Sequence, residues 1–331
     1  MREQRVLQVA VGVIKNAQDQ VLVALRHPQA HQGGLWEFPG GKIDPHETVM
    51  QALIRELQEE LDITIEQASP LITVQHAYAD ITVQLTVLRV DAYTGQPRGR
   101  EGQEIRWVAL NDLSHLPFPA ANAAIITAAQ LPDFYAILDV DALIGQDSVT
   151  PSARIARLLS ALQHLLDQGI KLIQARLKTL SAADITQFLQ RAQPLCTRFS
   201  AHLLLNSLSS DTWVHAEGVH LTSHALMRLQ QRPAHVHWLA ASCHTPEQLH
   251  HAQNIGVDFV VLAPVLATLT HPNAATLGWT KFSAWVNKVN LPVYALGGMQ
   301  KNDLERAKQA GAQGIAGIRL FMDTAGKPSM R

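Results

Sequence analysis

Glu56, Glu59 and Glu60 fall at i, i+3 and i+4 in the stretch GGKIDPHETVMQALIRELQEELDI, residues 40–63. On a helix that spacing puts all three acids on one side. Like charges so placed repel by roughly 0.2–0.5 kcal/mol per pair. Taken alone, such a cluster is an acidic surface that water solvates. Hard oxygen donors on one face are also what Mg²⁺ or Mn²⁺ needs as ligands. The residues around the cluster decide between the two readings. A glycine turn precedes it, and Glu47 and Arg55 stand at fixed intervals before it.

The element carrying the acids is a helix starting near Thr48, whose hydroxyl can cap free N–H groups. Met50, Leu53, Ile54, Leu57 and Leu61 form an apolar arc beside the acidic one, so one side is buried and the other wetted. Strands are expected at 6–14, 20–26, 71–76, 81–90 and 105–110, with a turn over 16–19 and a short helix over 120–129. Residues 95–102 are rich in turn formers.

Counted from Gly41, five residues lead to Glu47 and seven more to Arg55, followed by Glu56, Leu57, Gln58, Glu59 and Glu60. This run resembles the Nudix box, G-x5-E-x7-R-E-U-x-E-E-x-G-U, with U a bulky aliphatic. One position departs: Asp62 stands where the family has its last glycine. That glycine ends the helix in a left-handed conformation, which Asp adopts more readily than most other residues. Residues 5–130 as a whole resemble the MutT-type branch, the 8-oxo-dGTP diphosphatases, and the resemblance implies an α/β/α sandwich. It implies a divalent-metal site, Mg²⁺ or Mn²⁺, built from the carbonyl of Gly40 with Glu56, Glu59, Glu60 and Glu101. It implies substrate contacts at Arg26, Phe38, Gly41, Lys42 and Asn122. Glu56, Glu60 and Glu101 are all candidates for the general base, while Arg55 paired with Glu47 orients the acids. Asn122 offers a donor and an acceptor for an oxidised guanine edge, although an Asn in Pro-Ala-Ala-Asn-Ala is also an ordinary helix N-cap.

After Leu131-Pro132 the rhythm changes to strand-like runs alternating with helical patterns. Strands are expected at 135–140, 172–176, 203–206, 218–221, 238–241, 259–262, 293–296 and 314–318. Helices are expected between them at 152–166, 182–196, 246–255 and 302–310. A doubly wound sheet would show the same alternation, but eight units point to a small (β/α)8 TIM barrel. The expected domains are therefore 1–131 and 132–331, both α/β. Residues at strand ends, where barrel sites form, include Gln174, Arg176, Lys178, Asn206, His244, Thr268, Thr270, Gly297 and Gly298. Over about 134–321 this order of motifs resembles thiamine-phosphate synthase and its thiazole-tautomerase relatives, implying a thiamine-pathway phosphate as ligand. The departures lie where that family holds Mg²⁺ with acids: Ser207 follows Asn206, and Leu221 is followed by Thr222, Ser223 and His224. His271 replaces a lysine, and Ala263 opens the usual Gly-Pro-Val. These changes leave a degenerate barrel lacking synthase activity.

The chain's 331 residues, 47% hydrophobic and 17% charged, are ample for two cores. A net charge of −1 gives no basic field to recruit nucleic acid or anionic membrane. Cys196 and Cys243 match no metal spacing and read as thiols in a reducing compartment. No apolar run is long enough for a membrane span, so the expected location is the cytoplasm. The sixteen histidines are scattered and read as incidental. The leading functional expectation is hydrolysis of 8-oxo-dGTP to 8-oxo-dGMP and pyrophosphate, a nucleotide-pool cleansing reaction serving DNA repair and replication. Hydrolysis of a thiamine-precursor or damaged-thiamine diphosphate is the alternative within the same chemistry. A ligand-sensing regulator with a vestigial first domain is the alternative outside it. Oligomeric state has no sequence signature here.

Overall fold

A computed structural model describes residues 6–144, 150–206, 213, 215–268 and 275–321. The chain divides into two compact units, Met1–Leu131 and Pro132–Arg331.

In the first unit, β1 (Val6–Ile14), β2 (Gln20–Leu25), β3 (Trp36–Glu37) and β4 (Gly40–Lys42) lead to α1 (Val49–Leu61). They are followed by β5 (Thr64–Ala77), β6 (Thr82–Thr94), β7 (Ile105–Ala109) and α2 (Ala123–Gln130). One sheet runs β4-β1-β6-β5 and the other β3-β2-β7. β1 and β6 are parallel, with Val11 opposite Val87, while β4 lies antiparallel to β1, with Gly40 opposite Val11. The long antiparallel pair β5–β6 starts well before the expected strand at 71–76, because bulges at residues 65–72 let irregular chain stay paired. The glycine turn expected before the helix contains the short strands β3 and β4.

α1 forms where its sequence places it, but Ile54, expected in the buried arc, is 37% exposed, and Met50 is only partly buried. Thr48 and Gln51 make a reciprocal capping box, and Ala52, Leu53, Leu57 and Leu61 are buried. These side chains pack with Ala10, Ile14, Leu22 and Leu88 in one core. On a second core, Val11, Val87, Ile72 and Val74 meet Phe38, Leu113 and Ile125. Each fully buried leucine contributes about 2–3 kcal/mol, so α1 is fixed by its apolar side.

The second unit is a closed barrel of eight parallel strands, as the alternation predicts. Its strands are β8 (Phe134–Asp139), β9 (Leu172–Arg176), β10 (His202–Asn206), β11 (Gly218–Leu221), β12 (Trp238–Cys243), β13 (Phe259–Leu262), β14 (Val293–Leu296) and β15 (Gly314–Gly317). Among the described residues α3 (Val140–Ile144), α4 (Pro151–Asp167), α5 (Ala182–Arg198), α6 (Ser223–Arg228), α7 (Pro246–Asn254), α8 (Gly278–Val286) and α9 (Leu304–Gln309) accompany them. Tyr135, Phe259 and Tyr294 pack edge-on or tilted, with ring centroids 5.3–5.6 Å apart, and all three are fully buried. The seam closes where β15 pairs with β8, and there the Ile315 N–H donates to the Asp133 carbonyl. The buried Lys308 ammonium holds the Asp133 carboxylate at 2.8 Å beside it. No described helix is long and apolar enough to cross a membrane.

A Cβ on Gly314 would stand 1.9 Å from the Asp133 carbonyl oxygen, inside the seam. Gly314→Ala should therefore destabilise the barrel by about 2 kcal/mol or more, read as a lowered urea midpoint. The seam's role fails if that midpoint is unchanged.

Candidate active site

The turn between β3 and β4 is pressed against α1. Gly40 has φ +144°, and a Cβ there would stand 2.2 Å from the Ala10 carbonyl oxygen, so only glycine fits. Its N–H donates to Glu60 Oε2 at 3.3 Å. A Cβ at Gly41 would lie 2.1–2.3 Å from the Glu56 carboxylate, so the second glycine leaves space into which that acid projects.

Glu60 is the acid here whose charged form is disfavoured. Burial raises its pKa to about 7, reinforced by the charges of Glu56 and Glu101 and opposed by the Gly40 N–H and Arg26. Glu56, Glu101 and Arg26 thus all lie within electrostatic reach of Glu60. Glu56 is mostly buried, and Arg55 Nη1 donates to its Oε1 at 2.8 Å. The Arg55 Nε and Nη2 also grip both oxygens of Glu47 at 2.9 Å, and Nη2 donates to the Lys42 carbonyl at 3.0 Å. The Arg55 hydrogen bonds hold the Glu47 carboxyl down at about 2, with help from the Asp44 N–H. Hydrogen bonds to Glu47 and then Glu56 raise the pKa of Arg55 in turn. Glu59 is 57% exposed and is the outermost of the three helix acids, 3.5 Å from Arg55 Nη1.

Arg26 is half-buried: it pairs with Glu37, and its Nε donates to the His31 carbonyl at 2.9 Å. Burial lowers its pKa, while Tyr78 and Glu60 act the other way. Phe38 stacks on Phe118 with centroids 5.5 Å apart. Asn122 is buried at the N-cap position of α2, yet its side chain makes no capping hydrogen bond. The amide is thus not employed as the cap that its local sequence invites. The Lys42 side chain is exposed.

Among the described residues no group of three or more His, Cys, Asp or Glu is drawn together tightly enough to hold a metal. Like charges at this density separate towards whatever donors are nearest, here Arg55 for Glu56 and the Gly40 N–H for Glu60. The donor chemistry nonetheless fits a hard divalent cation. The donors are carboxylate oxygens around the cradle at Gly41, and one of those acids is half-buried among its own kind.

In the barrel, Arg176 pairs with the buried Asp139, whose Oδ1 also accepts from the Asp141 N–H at 3.0 Å. Gln174 Nε2 donates to the Tyr135 hydroxyl at 3.4 Å, that hydroxyl meets His220 Nδ1 at 3.0 Å, and His220 Nε2 meets Ser242 Oγ at 2.9 Å. Asn206 Nδ2 donates to the His220 carbonyl at 2.9 Å. His244 Nδ1 donates to the Ala263 carbonyl at 2.7 Å, and Lys178 is exposed. Gly297 and Gly298 have φ +106° and +68° and lie against Pro264 and Ala267, so a Cβ at either would collide. Thr268 closes the described part of its loop; Thr270, Ser207 and His271 lie outside the described residues.

Sequence reading passed over Tyr135, Asp139 and His220. His220 sits in a strand that reads as uniformly apolar, and its only signal was being the one polar residue of β11. Reading all histidines as incidental fails there, because His220 is 1% exposed and bonded at both ring nitrogens.

Two families match this chain, one in each unit. The family described as NUDIX domain matches residues 10–128, and the family described as thiamine monophosphate synthase matches residues 148–321. The 8-oxo-dGTP diphosphatase of Escherichia coli (strain K12) is 39% identical over 120 residues, 36% of this chain and 93% of that protein. A protein of the same name from Haemophilus influenzae is 38% identical over 124 residues, 38% of this chain and 91% of that protein. The putative thiamine-phosphate synthase 2 of Aquifex aeolicus is 30% identical over 167 residues, 50% of this chain and 90% of that protein.

Burial holds the pKa of His220 down at about 3, against about 6.5 for a free side chain. The folded barrel therefore excludes a proton that the unfolded chain accepts, so the stability tied to neutral His220 is full above pH 6.5. It falls as pH drops from about 6.5 towards 3. Urea midpoints across that range should decline less steeply in His220→Gln than in the parent. Equal slopes would show that His220 is not the group responsible.

Proposed function

Because the chain belongs to the Nudix family through its first unit and the thiamine monophosphate synthase family through its second, we propose a specific hydrolase reading. The first unit is a Nudix pyrophosphohydrolase acting on nucleotides, and its substrate is 8-oxo-dGTP, cleaved to 8-oxo-dGMP and pyrophosphate. The observation that carries this reading is the convergence of Glu56 and Glu101 on the half-buried Glu60, which accepts from the Gly40 N–H, with Arg26 at the same place.

Gly40 through its carbonyl, with Glu56, Glu59, Glu60 and Glu101, would hold Mg²⁺, or Mn²⁺ in its stead. Such an ion, when bound, neutralises phosphate charge and makes a water more acidic. Arg55 keeps Glu47 and Glu56 in place, so its work is on the acids rather than on the substrate. Glu56, Glu60 and Glu101 are the carboxylates near enough to one another to take the proton from the attacking water. Gly41, Lys42 and Arg26 border the phosphate end. Phe38 gives the nucleoside an apolar wall, and Asn122, with an amide not used for capping, reads the oxo and amide edge of the base.

The barrel binds a phosphate ester of the thiamine pathway through Arg176, Lys178 and the Gly297-Gly298 turn, without joining two substrates. Its presence on the same chain also favours a second substrate for the first unit, a thiamine-type diphosphate.

Glu56→Gln and Glu60→Gln should each lower kcat by about a hundredfold or more with the fold intact by circular dichroism. Full activity in both would remove the site assignment. Against a panel of 8-oxo-dGTP, dGTP and thiamine-type diphosphates with Mg²⁺, the highest kcat/KM should belong to 8-oxo-dGTP. Asn122→Ala should cut its advantage over dGTP about tenfold. Preference for the thiamine-type compound would transfer the assignment to the second reading. Incubating the chain with pyrimidine diphosphate and thiazole phosphate should yield no thiamine phosphate; its formation would refute the account of the barrel.

A further inference from the structure

Asp62 occupies the position where the Nudix box has glycine, and its conformation explains only half of its role. It ends α1 in the left-handed region, φ 60° and ψ 36°, with its N–H returned to the Gln58 and Leu57 carbonyls. Glycine would do that at least as well. What glycine lacks is the carboxylate, which pairs with both Arg98 and Arg100, the latter at 3.4 Å. These arginines lie on the loop that carries Glu101.

The loop is laced to the last turn of α1 at several points. The Arg98 N–H donates to the Leu61 carbonyl at 3.1 Å and the Arg100 N–H to the Glu60 carbonyl at 2.9 Å. Gln103 Nε2 donates to that same Glu60 carbonyl at 3.0 Å, and its Oε1 accepts from the Glu101 N–H at 2.9 Å. A Cβ at Gly95 would stand 2.7 Å from the Asp62 carbonyl oxygen, so the loop approaches the helix end closely. These bonds use carbonyls that a helix C-terminus otherwise leaves to water. They also bring Glu101 within electrostatic reach of Glu60.

We propose that Asp62 is a positioning residue: together with Arg98 and Arg100 it fastens the Glu101 loop to the end of the acidic helix. A carboxylate gripped by two guanidiniums from one loop offsets the approach of Glu101 to Glu60 and Glu56, which repel it. Each pair is partly exposed and weak singly, but both act on one short segment. The proposal rests on the reading that Glu101 serves the phosphate site.

Asp62→Gly, which supplies the box residue and keeps the helix end, separates the two roles, and Asp62→Asn checks it with shape retained. In metal-free protein, amide exchange at Arg98 and Arg100 should accelerate about fivefold in both variants, with Leu53 and Leu57 unchanged. Turnover should drop about fivefold at unchanged KM, and Mn²⁺ affinity of the free protein should weaken by a similar factor. In a Glu101→Gln background, Asp62→Gly should cost nothing further in turnover. Unchanged exchange at Arg98 and Arg100, or additive losses in the double variant, would overturn the tether. If Glu101→Gln alone leaves turnover and Mn²⁺ affinity intact, the reading of Glu101 fails instead, while the exchange data still decide the tether.

Discussion

The first unit is organised around one electrostatic constraint: carboxylates collected on one helix side repel one another, and the fold must hold them together regardless. Apolar packing supplies the restoring force. Leu53, Leu57 and Leu61 bury the arc of α1 beside the acids, so the acids cannot move apart by rotating the helix. Arg55 contributes opposing charge, gripping Glu47 while reaching Glu56. The glycine turn presses in so tightly that Gly40 could carry no side chain, and one on Gly41 would have to displace the Glu56 carboxylate. The acid left without a cationic hydrogen-bond partner is Glu60, and burial together with its neighbours raises its pKa most. That frustration is the physical mark of a place built to receive charge.

The barrel solves a different problem. Its interior is closed by aromatic rings, and several of the polar groups among them are joined by hydrogen bonds. Gln174, Tyr135, His220 and Ser242 form one chain of hydrogen bonds, and burial keeps His220 neutral. Arg176, which would face an anionic ligand, shares its charge with Asp139. An anion approaching that mouth meets a guanidinium already partly compensated.

The proposed role of Asp62 joins the helix to the loop beyond it. A residue that departs from the family pattern at a helix end looks like tolerated drift. In three dimensions it faces two arginines separated from it by more than thirty positions of sequence, which changes its meaning.

The residues alone determined a good deal. The box spacing gave the acidic side, the capping Thr48 and the buried leucine side of α1, because helix periodicity and capping are local rules. Eight alternations gave the barrel, since a strand followed by a helix can repeat only in a few closed ways. What remained illegible depended on distant partners. Strand limits in β5 were set by pairing with β6 through bulges, which no local propensity encodes. His220 was hidden in an apolar strand because its partners Tyr135 and Ser242 lie on other strands. The local sequence of Asn122 allowed a cap, and only the packed fold shows its amide left out of capping. The order of Glu56, Glu59 and Glu60 along the helix was fixed by sequence. Which of them has its charged form disfavoured was decided by tertiary structure, because desolvation and the approach of Gly40, Arg26 and Glu101 come from segments far away in the chain.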